Sequence, residues 1–253
     1  MDITWVTAFV DRPVDHFDDV REFWRRVTAT TMSTTRGADA EFATFVPDDG
    51  DPILKIQKVA DGPGGGHLDL HVEDPRAFAA TAVTAGAVQR ADLGDVVVLE
   101  SPGGLGFCAV PPRVAGVRPS PVGEQGARTL VDQVSIDVAP DRFDAECAFW
   151  AALTGWPLRA GYEPEYAGLV TPDDQPFRFL LQRRGEDAAG QPAECHLDLA
   201  CDDVDAAVEQ HLELGGELVE RFRWWTVMAD PGGTRYCLTR RDPDTGRPAE
   251  ATG

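Results

Sequence analysis

Two histidines open the same phrase in this chain. His67-Leu68-Asp69-Leu70-His71 and His196-Leu197-Asp198-Leu199-Ala200 stand 129 residues apart, and each sets an imidazole and a carboxylate at alternate positions. A period of two puts His67, Asp69 and His71, or His196 and Asp198, on one face of a strand, with leucines on the other. An imidazole beside a carboxylate can move protons if burial raises the carboxyl pKa, can ligate a metal, or can hydrogen-bond to its neighbour and do nothing more. Solvation of Asp69 and Asp198 at the rim of a site is the expectation. His71 has Ala200 as its counterpart, so whatever it does belongs to the first half, while His16 and His211 lie in helical stretches and read as surface residues. Cys108 and Cys237 follow Phe107 and Tyr236 in matching strands. Each is a small buried hydrophobe or, with a histidine as base, a nucleophile.

The elements that must carry these groups repeat as well. Gly86 and Gly215 close the helix after each phrase, Pro102-Gly103-Gly104 matches Pro231-Gly232-Gly233, and Cys108 matches Cys237, all at the same offset. Four landmarks at one spacing identify a tandem duplication. Ile3 to Val10 reads as a strand with Trp5, Thr7 and Phe9 on one face, and Val131 to Val138 as its counterpart with Gln133, Ser135 and Asp137 aligned. Helices are predicted over Val14 to Thr28 and Phe143 to Leu153, where Phe23-Trp24 and Phe149-Trp150 fall at core spacing. Further strands are predicted at Glu41 to Val46, Ile53 to Val59, Tyr166 to Val170 and Phe177 to Gln182. The helices of the second units run to Gly86 and from Val204 to Leu214, followed by three strands each. Residues 1–111 therefore form one domain, 112–127 a linker rich in proline and glycine, 128–241 a second domain, and 242–253 a frayed tail. The glycine-rich run from Asp61 to Gly66 is a crossover and not a phosphate loop, since no helix follows it.

Composition narrows the classes. The chain has 253 residues, 43% hydrophobic and 26% charged, which suits a soluble globular protein. A formal charge of −20 repels nucleic acid and anionic membrane, and suits either a well-solvated surface or the attraction of cationic ligands. No apolar run is long enough for a membrane helix, and no secretory pattern opens the chain, so cytoplasmic residence is expected. Five scattered cysteines without a CxxC pair read as reduced thiols.

Two βαβββ units per half, a His-Leu-Asp-Leu strand opening the second unit and a closing Pro-Gly-Gly strand ending in aromatic-Cys resemble the vicinal oxygen chelate superfamily, in its glyoxalase-like, bleomycin-resistance-like branch. The resemblance implies an α+β fold of four βαβββ units in two cup-shaped mixed sheets. Ligand or metal would sit on the concave face, with units sometimes exchanged between cups. Family metal ligands carried onto this chain fall near Trp5, Lys55, His67 and Cys108 in the first half, and on Gln133, a residue around Leu180, His196 and Cys237 in the second. Tryptophan and lysine cannot serve, and without a carboxylate the second set is poor for hard ions. The resemblance therefore implies a protein that binds a small organic molecule, aromatic or cationic, with no cofactor expected and a divalent metal conceivable only in the second domain. The alternative is a lyase, isomerase or dioxygenase using Gln133 and His196 as an incomplete metal shell, or His196 with Asp198 for metal-free proton transfer. Ligand-facing candidates are Trp5, Thr7, His67, Asp69, His71, Cys108, Gln133, Ser135, His196, Asp198, Trp224 and Cys237. Either Trp224 or Trp225 faces inward, and Trp156 is unplaced. A monomer or a homodimer is expected.

Overall fold

The computed structural model describes residues 2–60, 64–113, 116–123 and 128–248. Parts of the expected crossover, linker and tail lie outside the described residues. The first half runs β1 (Ile3–Pro13), α1 (Phe17–Val27), β2 (Thr31–Met32), β3 (Phe42–Val46) and β4 (Leu54–Val59). It continues with β5 (Gly65–Val72), α2 (Pro75–Thr84), β6 (Val88–Asp92), β7 (Val97–Glu100) and β8 (Gly106–Val110). The second half repeats this as β9 (Thr129–Val138), α3 (Phe143–Thr154), β10 (Leu158–Ala160), β11 (Tyr166–Leu169) and β12 (Arg178–Arg183). It closes with β13 (Glu194–Cys201), α4 (Val204–Glu213), β14 (Glu217–Arg221), β15 (Trp225–Ala229) and β16 (Arg235–Arg240). The fold is α+β, with two mixed sheets of matching order: β2-β3-β4-β1-β5-β8-β7-β6 and β10-β11-β12-β9-β13-β16-β15-β14. The edge strands β2 and β10 are too short to show alternation in the sequence.

The duplication extends to local chemistry. Asp74 and Asp203 each cap a helix by accepting from two backbone N–H groups, those of Arg76 and Ala77 or of Asp205 and Ala206. Gly86 and Gly215 both take positive φ, 115° and 101°, beyond those helices.

The chain condenses into two compact units that each draw on both halves: Met1–Phe9 with Gly66–Arg118 and Val134–Cys195, and Val10–Gly65 with Pro119–Gln133 and His196–Gly253. In the first unit, Trp150 of α3 packs on Phe107 at a ring separation of 5.2 Å. Here the Pro-Gly-Gly motif acquires its physical meaning. The Gly103 N–H donates to Glu146 at 2.6 Å, and a Cβ on Gly103 would lie 2.8 Å from that carboxylate. Glu146 also accepts from Trp150 Nε1 at 2.7 Å, and its burial raises its pKa. In the second unit, Trp24 of α1 packs on Tyr236 at 5.2 Å, and Trp24 Nε1 donates to Asp230, which pairs with Arg12 at 2.6 Å.

One expectation is corrected here. His211 is not a surface residue: it is 1% exposed, edge-on to Phe23, with Nδ1 2.8 Å from the Tyr236 hydroxyl. It lies three and four residues after Val208 and Ala207, on the inward stripe of α4. Burial pulls its pKa from 6.5 down to about 4. The unfolded chain therefore takes up a proton between pH 6.5 and 4 that the folded chain refuses. The stabilisation is full above pH 6.5, is lost as pH falls through this window, and amounts to about 3 kcal/mol. His211→Gln should flatten that part of the stability profile. Denaturant titrations of both proteins at pH 7 and pH 4.5 measure the difference, and parallel profiles would contradict the assignment.

The first described residues of the expected tail form a turn. Asp242 accepts from the N–H groups of Asp244 and Thr245, and Arg241 bridges to Pro248. That turn places the Arg241 side chain where it meets Gln133 and Asp132.

Candidate functional site

Strand pairing assembles the polar groups. β13 and β16 run parallel with Asp198 opposite Cys237, and β5 and β8 run parallel with Asp69 opposite Cys108. Since same-face neighbours lie two residues away along a strand, His196 or His67 joins its own carboxylate and the thiol across the ladder. The result is one cluster in each half, His67–Asp69–Cys108 and His196–Asp198–Cys237, each with its donor atoms within 4.8 Å of one another. Asp69 and Asp198 were expected at a solvated rim. They are 6% and 3% exposed instead. The carboxylate missing from the inferred ligand set is thus present in both halves.

In the second cluster His196 Nε2 lies 3.2 Å from Asp198 Oδ1 and 3.7 Å from Cys237 Sγ. Gln133 Nε2 donates to the other Asp198 oxygen, Arg241 donates to Gln133 Oε1 at 2.7 Å, and Arg241 also pairs with Asp132 at 2.7 Å. A continuous polar row therefore runs from Arg241 through Gln133 and Asp198 to His196, whose side chain is 16% exposed against 5% for that of Asp198. His196 is the member of that pair more open to a ligand.

The first cluster is built differently. His67 stacks on Phe9 at 4.2 Å and 18°. The helices α1 and α3 begin 126 residues apart, so Thr7 corresponds to Gln133 and Phe9 to Ser135. Trp5 corresponds to Val131 and was aligned two residues out of register with Gln133. Thr7 does not line an open wall: it is fully buried, and its hydroxyl meets His71 Nε2 at 3.1 Å. His71 Nδ1 lies 2.9 Å from the Pro111 carbonyl, which can only accept, so Nε2 is left to accept from Thr7. Both ring nitrogens thereby clamp β1 to the segment after β8. Trp5 is likewise fully buried, with Gly116 so close that a Cβ there would lie 2.5 Å from the indole. Ser135 is fully buried too.

Among the late tryptophans, Trp225 replaces Trp224 as the inward candidate. Register pairs Val227 with Cys237 and Trp225 with Thr239, which puts Trp225 on the face of Cys237. Trp224 precedes β15 and is 45% exposed, with the Arg223 guanidinium 4.7 Å over its ring. Trp156, unplaced by sequence, is buried against Phe179.

The donor sets were tested against a divalent ion. Bonds of about 2.0–2.3 Å to nitrogen, oxygen and sulfur put tetrahedral donors about 3.3–3.7 Å apart, close to the two separations at His196. A set of one imidazole, one carboxylate and one thiol suits a borderline-soft ion such as zinc better than a hard one. His196, Asp198 and Cys237, or His67, Asp69 and Cys108, would hold it, and it would polarise a ligand oxygen.

This doubled βαβββ architecture, with its polar face on the opening and closing strands of the later units, is that of a glyoxalase-like protein. The chain belongs to the family described as Glyoxalase-like domain, whose model matches residues 7–110 and again 133–239. Among solved structures it is similar to the Mn(II)-bound glyoxalase from Novosphingobium aromaticivorans, at 17% identity and a TM-score of 0.61, covering 98% of this chain and 86% of that one. It is also similar to 2,2',3-trihydroxybiphenyl 1,2-dioxygenase from Sphingomonas wittichii, at 14% identity and a TM-score of 0.58, covering 92% and 88%. An extradiol ring-cleaving dioxygenase from B. fuscum matches at 14% identity and a TM-score of 0.62, covering 99% and 75%. At these identities the likeness shows the fold. No curated protein matches the chain by sequence. No helix among the described residues is long and apolar enough to cross a membrane.

Proposed function

We propose that the protein binds a small, oxygen-bearing aromatic molecule on the polar face around His196, holding it through the imidazole and the row behind it. The observation that carries this reading is the hydrogen-bonded series from Arg241 through Gln133 to Asp198. It fixes a buried carboxylate beside an imidazole that still reaches solvent, and a group held in place in advance loses little freedom on binding. The acidic surface favours neutral or cationic ligands over anionic ones. A thermal-shift screen of phenols, catechols and planar cations tests it. Stabilisation by members of that set is expected, and none from any of them contradicts it.

A second reading is favoured by the His-Asp-Cys clusters themselves, whose spacing suits an ion. In that case the protein is a lyase, isomerase or dioxygenase, with zinc-type chemistry in one or both halves; among its structural neighbours are a protein named a glyoxalase and others named dioxygenases. Elemental analysis of protein purified without chelator separates the two. The binding reading predicts well under one equivalent of transition metal, and about one or two equivalents, lost from a Cys237→Ser/Cys108→Ser variant, would establish the second.

A further inference from the structure

The two halves end the helix of their first unit in the same way and then diverge at one residue. Thr28 and Thr154 each donate a hydroxyl hydrogen bond at 2.7 Å to the carbonyl four residues earlier, on Trp24 and Trp150. The next residue takes the left-handed conformation in both, Ala29 at φ 47° and Gly155 at φ 71°. The residue after that is Thr30 in one half and Trp156 in the other. Trp156 is buried, its ring 5.4 Å from Phe179 at 64°. Phe179 pairs with Leu169 as Leu54 pairs with Phe45, so the phenylalanine of this pair changes strands and leucine stands at the position of the indole's partner.

Thr30, by contrast, borders a cavity of about 130 Å³. Its lining includes Val27, Thr30, Phe45, Leu54, Leu130 and Leu199, all within the second compact unit. It involves none of the cluster residues. A space of this size, lined mostly by apolar side chains and open on one side, is large enough to admit one aromatic ring. The exposed Asp48 and Asp49 also stand at it.

We infer that this cavity is a second ligand site, one that takes a single aromatic ring of benzene to indole size. The ring is uncharged or carries a cationic tail, and it occupies the place that Trp156 fills covalently in the other half. The two carboxylates at the cavity disfavour an anionic analogue. Filling the cavity restores the apolar contacts that an empty space forgoes.

The test uses indole, tryptamine and indole-3-acetate with the full-length protein. Indole or tryptamine at about ten times its dissociation constant should raise the melting temperature by roughly 3–5 °C, with indole-3-acetate at least several-fold weaker. Thr30→Trp should raise the melting temperature unliganded and abolish the indole response. Thr30→Leu, a milder filling that serves if the tryptophan variant does not fold, should weaken indole several-fold. His196→Ala should leave the response intact, which separates this site from the one proposed around His196. No response to indole or tryptamine overturns the inference. A response that survives filling at Thr30, or that disappears in His196→Ala, overturns it as well.

Discussion

Replacing Asp230 with alanine should lower the melting temperature by roughly 10 °C. The Asp230 carboxylate is the hub of the second unit. It accepts from Arg12 Nη2 at 2.6 Å, from Trp24 Nε1 at 3.1 Å, and from the N–H groups of Gly232 and Thr234 at 3.0 and 3.1 Å. Arg12 and Asp230 are each 2% exposed. Removing the carboxylate leaves a guanidinium in the interior with its charge uncompensated, a loss of about 3–5 kcal/mol. At roughly 2–4 °C per kcal/mol for a chain of this size, a fall near 10 °C follows. Arg12→Met combined with Asp230→Leu should recover much of it, because removing both charges removes the desolvation penalty with the attraction. Scanning calorimetry of the three proteins is the check. A drop under 2 °C for Asp230→Ala would mean that water reaches Arg12.

His196→Ala is the other change with a large expected effect, this time on binding. A hydrogen bond between the imidazole and a ligand oxygen contributes about 0.5–1.5 kcal/mol, and up to about 3 if one partner is charged. Affinity for any phenolic or catecholic ligand identified should therefore fall about tenfold, and up to a hundredfold. The melting temperature should move less than in Asp230→Ala, since the imidazole side chain is 16% exposed. Calorimetric titration reads the affinity, and an unchanged constant places the ligand elsewhere.

Much of the architecture was legible because duplication wrote it twice. The glycines after α2 and α4 and the inward tryptophans at 24 and 150 follow from spacing and residue type. Asp198 was not legible in its real setting. Alternation put it on the face of His196, but its place opposite Cys237 comes from the parallel pairing of β13 with β16, and it is buried where a solvated rim was expected. Gln133 was recognised as a candidate, yet its partner Arg241 stands at the last residue of the expected second domain, beyond the strands read there, and no local pattern announces a contact across 108 residues. Trp5 and Thr7 show the opposite failure. Their alternation was right, but the chain around Gly116 and the His71 ring cover them, so sharing a face did not amount to reaching solvent. His211 could have been found, since its spacing from Ala207 and Val208 is that of the buried stripe; its polarity argued against the pattern, and burial prevailed.

His196 is the proposed point of contact between this protein and a small molecule. A long-range proton–nitrogen spectrum of the five histidines, recorded during titration with catechol and with a planar aromatic cation, tests that directly. The prediction is a saturable shift of the His196 ring signals with at least one of these probes, while the exposed His16 and the buried His211 stay in place. Saturable binding that leaves the His196 signals unmoved would contradict it.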